Sequence, residues 1–270
     1  MSTATSPSAG PSRAELVLRQ AEYWITVYRR TWKGSAISSF ITPLLYVAAM
    51  GLLLGGFIDE GGAQLEGAPT YLAFIAPGLL AAHVMQTAAG ETMWPVMGAI
   101  KWNKTYYGMI ATPLGIADIV TAHLLFVLFR VATTSAVFMV VLAFFGVYAS
   151  WTGALAAFLV QLLLGLAFAG VIYGYSAGLR SEAGFALVYR LGVVPLFLFS
   201  GAFFPISNLS APLEWLARIT PLWHGVDLTR MLTLGNVDGS AAAVHVVYLG
   251  VMAAAGWWWS VRRLERRLVV

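Results

Sequence analysis

The sequence predicts an all-α membrane protein built on six transmembrane helices. Apolar residues fill 59% of the 270 positions and charged residues 10%, against roughly 45–50% and 25% in soluble domains. Mean hydropathy is +0.77. Long apolar runs recur along the chain, and lysines and arginines gather on alternate connections between them.

The elements follow in order. Residues 1–12, MSTATSPSAGPS, are small, proline-containing and uncharged, the composition of a disordered tail. No basic head precedes an apolar run there, so they do not read as a signal peptide. In residues 13–33, Glu15, Arg19, Glu22, Thr26, Arg29, Arg30 and Lys33 share one side of a helical wheel. Val17, Ala21, Trp24, Tyr28 and Trp32 share the other. That pattern predicts an amphipathic helix in the headgroup plane. A transmembrane domain over 34–262 follows, then a tail at 263–270. Its spans read 36–57, 70–94, 119–147, 151–179, 185–204 and 241–260, near the roughly 20 residues that cover about 30 Å of hydrocarbon. The turn from Gly146 to Trp151 is short, so spans three and four form an antiparallel hairpin.

Orientation comes from lysine and arginine. Arg13, Arg19, Arg29, Arg30 and Lys33, then Lys101 and Lys104, then Arg180, then Arg262, Arg263, Arg266 and Arg267 lie on one side. The other side holds Asp59, Glu60, Glu66, Glu214, Asp227 and Asp238 with only Arg218 and Arg230. The basic side is expected to be cytoplasmic, with both termini on it. This topology accounts for the basic pI near 9.4 without a nucleic-acid partner.

No catalytic chemistry is legible. The chain has no cysteine, no GxxxxGK[ST] loop to cradle nucleotide phosphates and no HExxH. His83, His123, His224 and His245 stand far apart in sequence. No catalytic residue, metal site or cofactor is therefore expected in this chain. What stands out is charge in apolar surroundings. Arg130 lies near mid-membrane, Glu91 near the cytoplasmic end of span two and Arg190 early in span five. Such residues are costly and default to paired or functional roles. Glu91 is the nearest candidate partner for Arg130 by depth.

Two connections are also unusual. The segment after span two is too long for a turn and too polar to span. A short helix in it, ended by Thr112-Pro113, would project Lys101, Lys104, Tyr106 and Tyr107 into the cytoplasm. Ser200 to Arg230 holds Pro205, Pro212 and Pro221 among Phe203, Phe204, Trp215 and Trp223. Prolines so spaced forbid one continuous helix, and the aromatics forbid a plain loop. A broken helical hairpin at 204–233, re-entering the membrane from outside before the last span, satisfies both. Asp227 and Arg230 would share a helical face and could pair.

These features resemble, over nearly the whole chain, the permease subunits of type-2 ABC exporters. That family includes polysaccharide, teichoic-acid, nodulation-factor lipo-oligosaccharide and daunorubicin-type drug exporters. The resemblance rests on Tyr28-Arg29-Arg30 ending the amphipathic helix and on Lys104-Thr105-Tyr106 through Ala111-Thr112-Pro113-Leu114. It also rests on Pro195-Leu196 through Ser200-Gly201 and Phe204-Pro205, and on Pro221-Leu222, Asp227 and Arg230. The N-terminal third looks closest to the nodulation-factor and drug branch. Where the family has Leu-Pro after the re-entrant turn, this chain has Leu209-Ser210-Ala211-Pro212.

The resemblance implies a bacterial inner-membrane transporter of two permease chains and two soluble ATPases, with ATP and Mg on the ATPases. A coupling helix over 99–114, with Lys101, Lys104, Tyr106, Tyr107, Thr112 and Pro113, would contact the ATPase. Glu91, Arg130 and Arg190 would lie on or near the translocation path among membrane lipids. Phe204, Pro205, Trp215, Pro221, Trp223, Asp227 and Arg230 would form an exit gate. The apolar spans favour an amphipathic or lipid-linked cargo: a drug, a lipid or a lipo-oligosaccharide. The alternatives are an ATP-independent secondary transporter or a membrane-embedded transferase. The first would show internal repeats and several intramembrane acids, the second a polar cluster at one depth.

Overall fold

The computed structural model describes residues 12–61 and 65–269, which contain helices and connections and no strand. The expected tail, apart from Ser12, lies outside the described residues, as do residues 62–64 and Val270. Five helical stretches among the described residues are long and apolar enough to cross a membrane: Phe40–Glu60, Tyr71–Trp102, Ile116–Phe144, Trp151–Gly178 and Gly239–Leu268.

Helix α1 (Arg13–Tyr46) starts where Ser12 accepts a hydrogen bond from the Glu15 amide at 3.3 Å, an N-cap that satisfies one orphan donor. Its inner stripe is the expected one. Trp24 is buried and Val17, Ala21 and Tyr28 are half-buried, while Glu22, Arg29, Arg30 and Lys33 are exposed. Trp32, placed on the same stripe, is exposed. The stripe packs on α6 (Ile116–Phe144), with Trp24 stacked on Phe126 at 5.6 Å between centroids. The helix does not stop near residue 34. It runs through a π-helical stretch, Val47–Leu54, into α2 (Gly55–Glu60), so the amphipathic segment and the first span form one continuous helical run.

Thr70 caps α3 (Tyr71–Thr92), accepting from the Ala73 amide at 3.2 Å. Pro95 bends the run, which resumes as α4 (Trp94–Met97) and a π-helical stretch, Gly98–Trp102. Lys104, at φ 52°, then breaks it before α5 (Thr105–Ile110). Helices α6 and α7 (Trp151–Gly178) form the expected hairpin. Next come α8 (Ala183–Leu187), a third π-helical stretch and α9 (Val194–Phe199).

The fifth span therefore ends at Phe199, short of residue 204, and is too brief to cover hydrocarbon alone at about 1.5 Å per residue. The cause is an elbow at 200–204 pressed into the bundle. Gly201 takes φ 76°, and a Cβ on Gly78 of α3 would fall 2.5 Å from the Cα of Ala202. Beyond it lie a 3-10 turn (Ile206–Asn208), α10 (Ala211–Arg218) and α11 (Pro221–Leu234). The prolines break this stretch by opening elements: Pro221 opens α11, Pro212 sits in the first turn of α10 and Pro205 precedes the 3-10 turn. Proline is suited to a helix start because its missing N–H is an orphan there anyway.

Helix α11 lies along α7. The Leu232 carbonyl meets Gly153, while Gly225 packs on the Leu164 side chain. Eleven residues of α7 separate those contacts, about 16 Å along the bundle. Helix α11 thus lies well into the bundle, at the end where Glu66, Asp227 and Asp238 collect, while α10 is largely exposed.

Helix α12 (Gly239–Leu268) runs parallel to α7 along a seam of small residues. A Cβ on Gly256 would stand 2.9 Å from the Val171 amide nitrogen, and one on Gly170 3.0 Å from the Gly256 carbonyl carbon. Ser260 donates to the Gly170 carbonyl at 2.6 Å. Small residues let backbones approach where dispersion and buried hydrogen bonds replace the hydrophobic effect. Gly256→Val should therefore cost about 1–3 kcal/mol, as for an overpacked core, read as a lower thermal midpoint in detergent. Gly250→Val, with open space around its Cα, should leave that midpoint near wild type.

Candidate functional site

The predicted residues fall into two groups at opposite ends of the bundle, both resting on α3. The basic end is organised by a kink. Pro95 has no N–H to give the Glu91 carbonyl one turn earlier, and His123 of α6 supplies a donor instead, Nε2 to Glu91 O at 3.0 Å. The carbonyl can only accept, so Nε2 carries the proton and Nδ1 is the acceptor. Tyr106 donates its hydroxyl to that Nδ1 at 2.7 Å, and Tyr173 of α7 donates to the Tyr106 oxygen at 3.0 Å. Trp24 of α1 covers the His123 ring at 4.3 Å.

Glu91 and Arg130 do meet: Arg130 Nε donates to Glu91 Oε1 at 2.8 Å, and the guanidinium lies 4.6 Å from the centre of the Tyr28 ring. Thr133 and Thr134 both donate to the Arg130 carbonyl. Arg190 is on the exposed face of the π-helical stretch Val188–Val193 and is not brought to this group.

Of the residues expected to project from the coupling region, Lys101, Lys104 and Tyr107 are exposed. Tyr106 is not. It is fully buried, because the α5 turn points its ring inward between His123 and Tyr173, where the hydroxyl finds both partners. Lys101 bonds Glu182 in the loop after α7 at 2.6 Å. That bond holds the half-buried Glu182 carboxyl below its ordinary range, so the contact is intact above the free carboxylate value and is lost as pH falls. Thr112 donates to the Met109 carbonyl at 2.6 Å, closing the turn before Pro113.

At the acidic end Arg230 is buried and multiply bonded. It donates to Glu66 at 3.0 Å, to the Gly201 carbonyl at 2.6 Å and to the Phe74 carbonyl at 3.4 Å. It therefore fastens the 65–70 connection, α3 and the elbow to α11. The expected Asp227–Arg230 pair does not form. Arg230 reaches toward α3, whereas Asp227 turns to α12 and accepts from His245 Nε2 at 3.1 Å. His245 Nδ1 lies 2.7 Å from His224 Nδ1, and Tyr248 stacks on His224 at 3.9 Å. Sequence spacing hid this cluster, because 21 residues and a turn separate the two histidines. A small polar cleft of about 250 Å³ is lined by Glu66, Ile206, Arg218, Trp223, Asp227 and Arg230. Pro205 is buried and Phe204 half-buried in the elbow wall, while Trp215 is 70% exposed on α10.

The pair at the basic end makes a stability prediction. Arg130→Leu leaves a partly buried carboxylate without its cation and should cost about 3 kcal/mol. Adding Glu91→Leu should recover most of that loss, because exchanging both partners for apolar groups removes the unpaired charge. Thermal unfolding of the two single variants and the double variant in detergent checks this; strict additivity would contradict it.

The comparisons agree with this architecture. Residues 18–234 match the family model described as ABC-2 type transporter. Over 255 residues the chain is 32% identical to nodulation protein J of Rhizobium leguminosarum bv. trifolii, covering 91% of this chain and 94% of that protein. It is 30% identical over 253 residues to nodulation protein J of Sinorhizobium fredii (strain NBRC 101917 / NGR234), covering 91% and 94%. It is 29% identical over 263 residues to that of Bradyrhizobium diazoefficiens, covering 95% and 98%. A helical bundle with several membrane-length apolar helices, matched across most of its length, belongs to the ABC-2 type transporter family, as a multi-pass membrane permease.

Proposed function

We propose that this chain is the non-catalytic permease subunit of an ATP-driven exporter that moves an amphipathic or lipid-linked compound out of a bacterial cytoplasm. One observation carries the reading. The long helical run Tyr71–Trp102 ends in an exposed, basic, aromatic turn with Lys101, Trp102, Lys104 and Tyr107, yet the sequence has no phosphate-cradling motif of its own. Such a turn is suited to a soluble ATPase that brings ATP and Mg.

The complex would hold two permeases and two ATPases. The first span leaves Phe40, Ile41, Leu45 and Phe57 exposed, and α8–α9 leave Leu187, Leu191 and Leu198 exposed. These apolar faces fit a second permease chain, with the cargo passing between the two. The basic end would face the cytoplasm, with the exposed basic face of α1 at the headgroups. The α10–α11 pair would re-enter from outside and, with Trp215, Trp223 and the Arg230 and Asp227 contacts, close the exit.

Two measurements check this. The chain lacks cysteine, so single cysteines can be introduced without background. Ser207→Cys should react with an impermeant maleimide in intact cells and Asn103→Cys should not; the opposite pattern would overturn the orientation. Lys104→Glu combined with Tyr107→Ala should insert normally but lower ATPase copurification about tenfold, within the usual range of coupling between sites. Undiminished copurification would show that this turn is not the docking element.

A further inference from the structure

We infer that His123 is a positioning residue for energy coupling: it sets the angle of the Pro95 hinge and binds α5 to that hinge. The inference rests on the proposed ATPase contact and goes beyond it, because His123 is fully buried and can touch neither ATPase nor cargo.

The argument starts from a missing bond. Without Pro95 the Glu91 carbonyl would accept from residue 95, and α3 would continue straight. Pro95 deletes that donor and crowds the preceding turn. Kinked helices in membranes need another group to satisfy the freed carbonyl. Here it is a side chain from a different helix, so the hinge is pinned to α6. Met93, the residue at the bend, sits at φ −83°, ψ −75°, between α3 and α4.

The other side of the same imidazole holds the exposed turn. Tyr106 is the buried anchor of α5 and donates to His123 Nδ1. One ring thus joins the end of α3 to α5, with Tyr173 of α7 behind and Trp24 of α1 above. The donor directions are fixed from end to end: Tyr173 to Tyr106, Tyr106 to His123, His123 to Glu91. A push on α5 cannot move Tyr106 without either moving α6 and the hinge or breaking a buried hydrogen bond. Breaking it would leave unpaired polar groups at a depth without water. The same buried residues therefore hold the angle at rest and carry a displacement of α5 to three spans.

A carbonyl cap alone would also explain the His123–Glu91 bond, and Pro95 separates the two roles. His123→Ala removes both the cap and the link to α5. Adding Pro95→Ala restores a backbone donor for Glu91 O but cannot restore the link. Each variant is placed in a Ser207→Cys background, copurified with the ATPase and reconstituted in phospholipid vesicles. Maleimide labelling at 207 is compared with and without ATP and vanadate, and thermal stability is measured alongside.

We expect His123→Ala to lower the thermal midpoint and to cut the nucleotide-dependent change in labelling about tenfold, within the range reported for network residues. In the double variant the midpoint should recover and the labelling response should not. Tyr106→Phe keeps the cap and the ring volume and removes the hydroxyl that joins Tyr173 to His123. It should retain a foldable chain and the bound ATPase and lose the labelling response. Recovery of both properties in the double variant, or a wild-type response in Tyr106→Phe, would reduce His123 to a structural cap and overturn the inference. A wild-type complex whose labelling ignores nucleotide would overturn the ATP-driven reading itself, and this inference with it.

Discussion

A polar group carried into hydrocarbon must find its partner inside the protein, and this requirement arranges much of the bundle. Arg230 is buried in the acidic-end half and is held by one carboxylate and two main-chain carbonyls. Gly201 sits in an elbow at positive φ outside any helix, so its carbonyl is not claimed by a helical ladder, whereas the Phe74 carbonyl lies within α3 and meets Arg230 at the longer distance of 3.4 Å. Satisfying the guanidinium therefore draws the elbow against α3, ends the fifth apolar helix early and fixes where α11 must lie. At the other end the carbonyl orphaned by Pro95 draws in His123, and Glu91 draws in Arg130. Each deficit created by sequence is met from a segment distant in the chain.

Apolar packing has a different task. Where no polar group demands a partner, helices hold together only as far as their surfaces approach. The middle of α12 shows this best. Only 17% of its apolar window is buried; along α7 it is held by the Gly170–Gly256 approach with Ser260 bonding across, and nearer its start by His245 on Asp227. Gly174 continues the stripe against Trp259. Stripes of small residues at four-residue spacing suit such backbone contact. The rest of α12 is left free to meet lipid or another chain.

Much of this was legible in sequence, and what was not has a common cause. Five of the six apolar runs became membrane-length helices, because length and hydropathy are local properties. The stripe of α1 was readable because a helical wheel is also local, although the wheel could not say that α6 rather than lipid would meet it. Pro212 and Pro221 showed that the stretch after the elbow could not be one helix. The Glu91–Arg130 pair was reachable from depth alone. Partners distant in sequence were out of reach: Glu66 and Arg230 lie 164 positions apart, and nothing in either segment names the other. Asp227 and Arg230 were assigned to each other because i,i+3 spacing puts them on one face, but a shared face fixes direction only roughly. A long arginine reaches past its neighbour to a better-buried set of acceptors. Tyr106 and Tyr107 are adjacent and chemically alike, so composition could not tell which turns inward.

The two charge centres share one support, and that has a mechanical consequence. Helix α3 contributes Phe74 and Gly78 at the acidic end and Glu91 at the basic end, and 78% of its apolar window is buried, against 24% for the first span. A helix enclosed by protein cannot change its surroundings piecemeal, because interiors packed at crystal-like density resist continuous deformation. Pro77 lies inside α3, and Pro95 breaks the run just beyond Glu91. A displacement at the basic end thus has two outlets: bending at that proline, or movement of α3 as a rigid strut. Rigid movement would carry Phe74 with it and strain the Arg230 contacts to the elbow and to Glu66. Glu66 is itself held at φ 51°, a backbone conformation that favours glycine and costs other residues energy. The most buried helical run thus carries the Pro95 break near one end and the Arg230 contacts near the other, with α11 attached to those contacts.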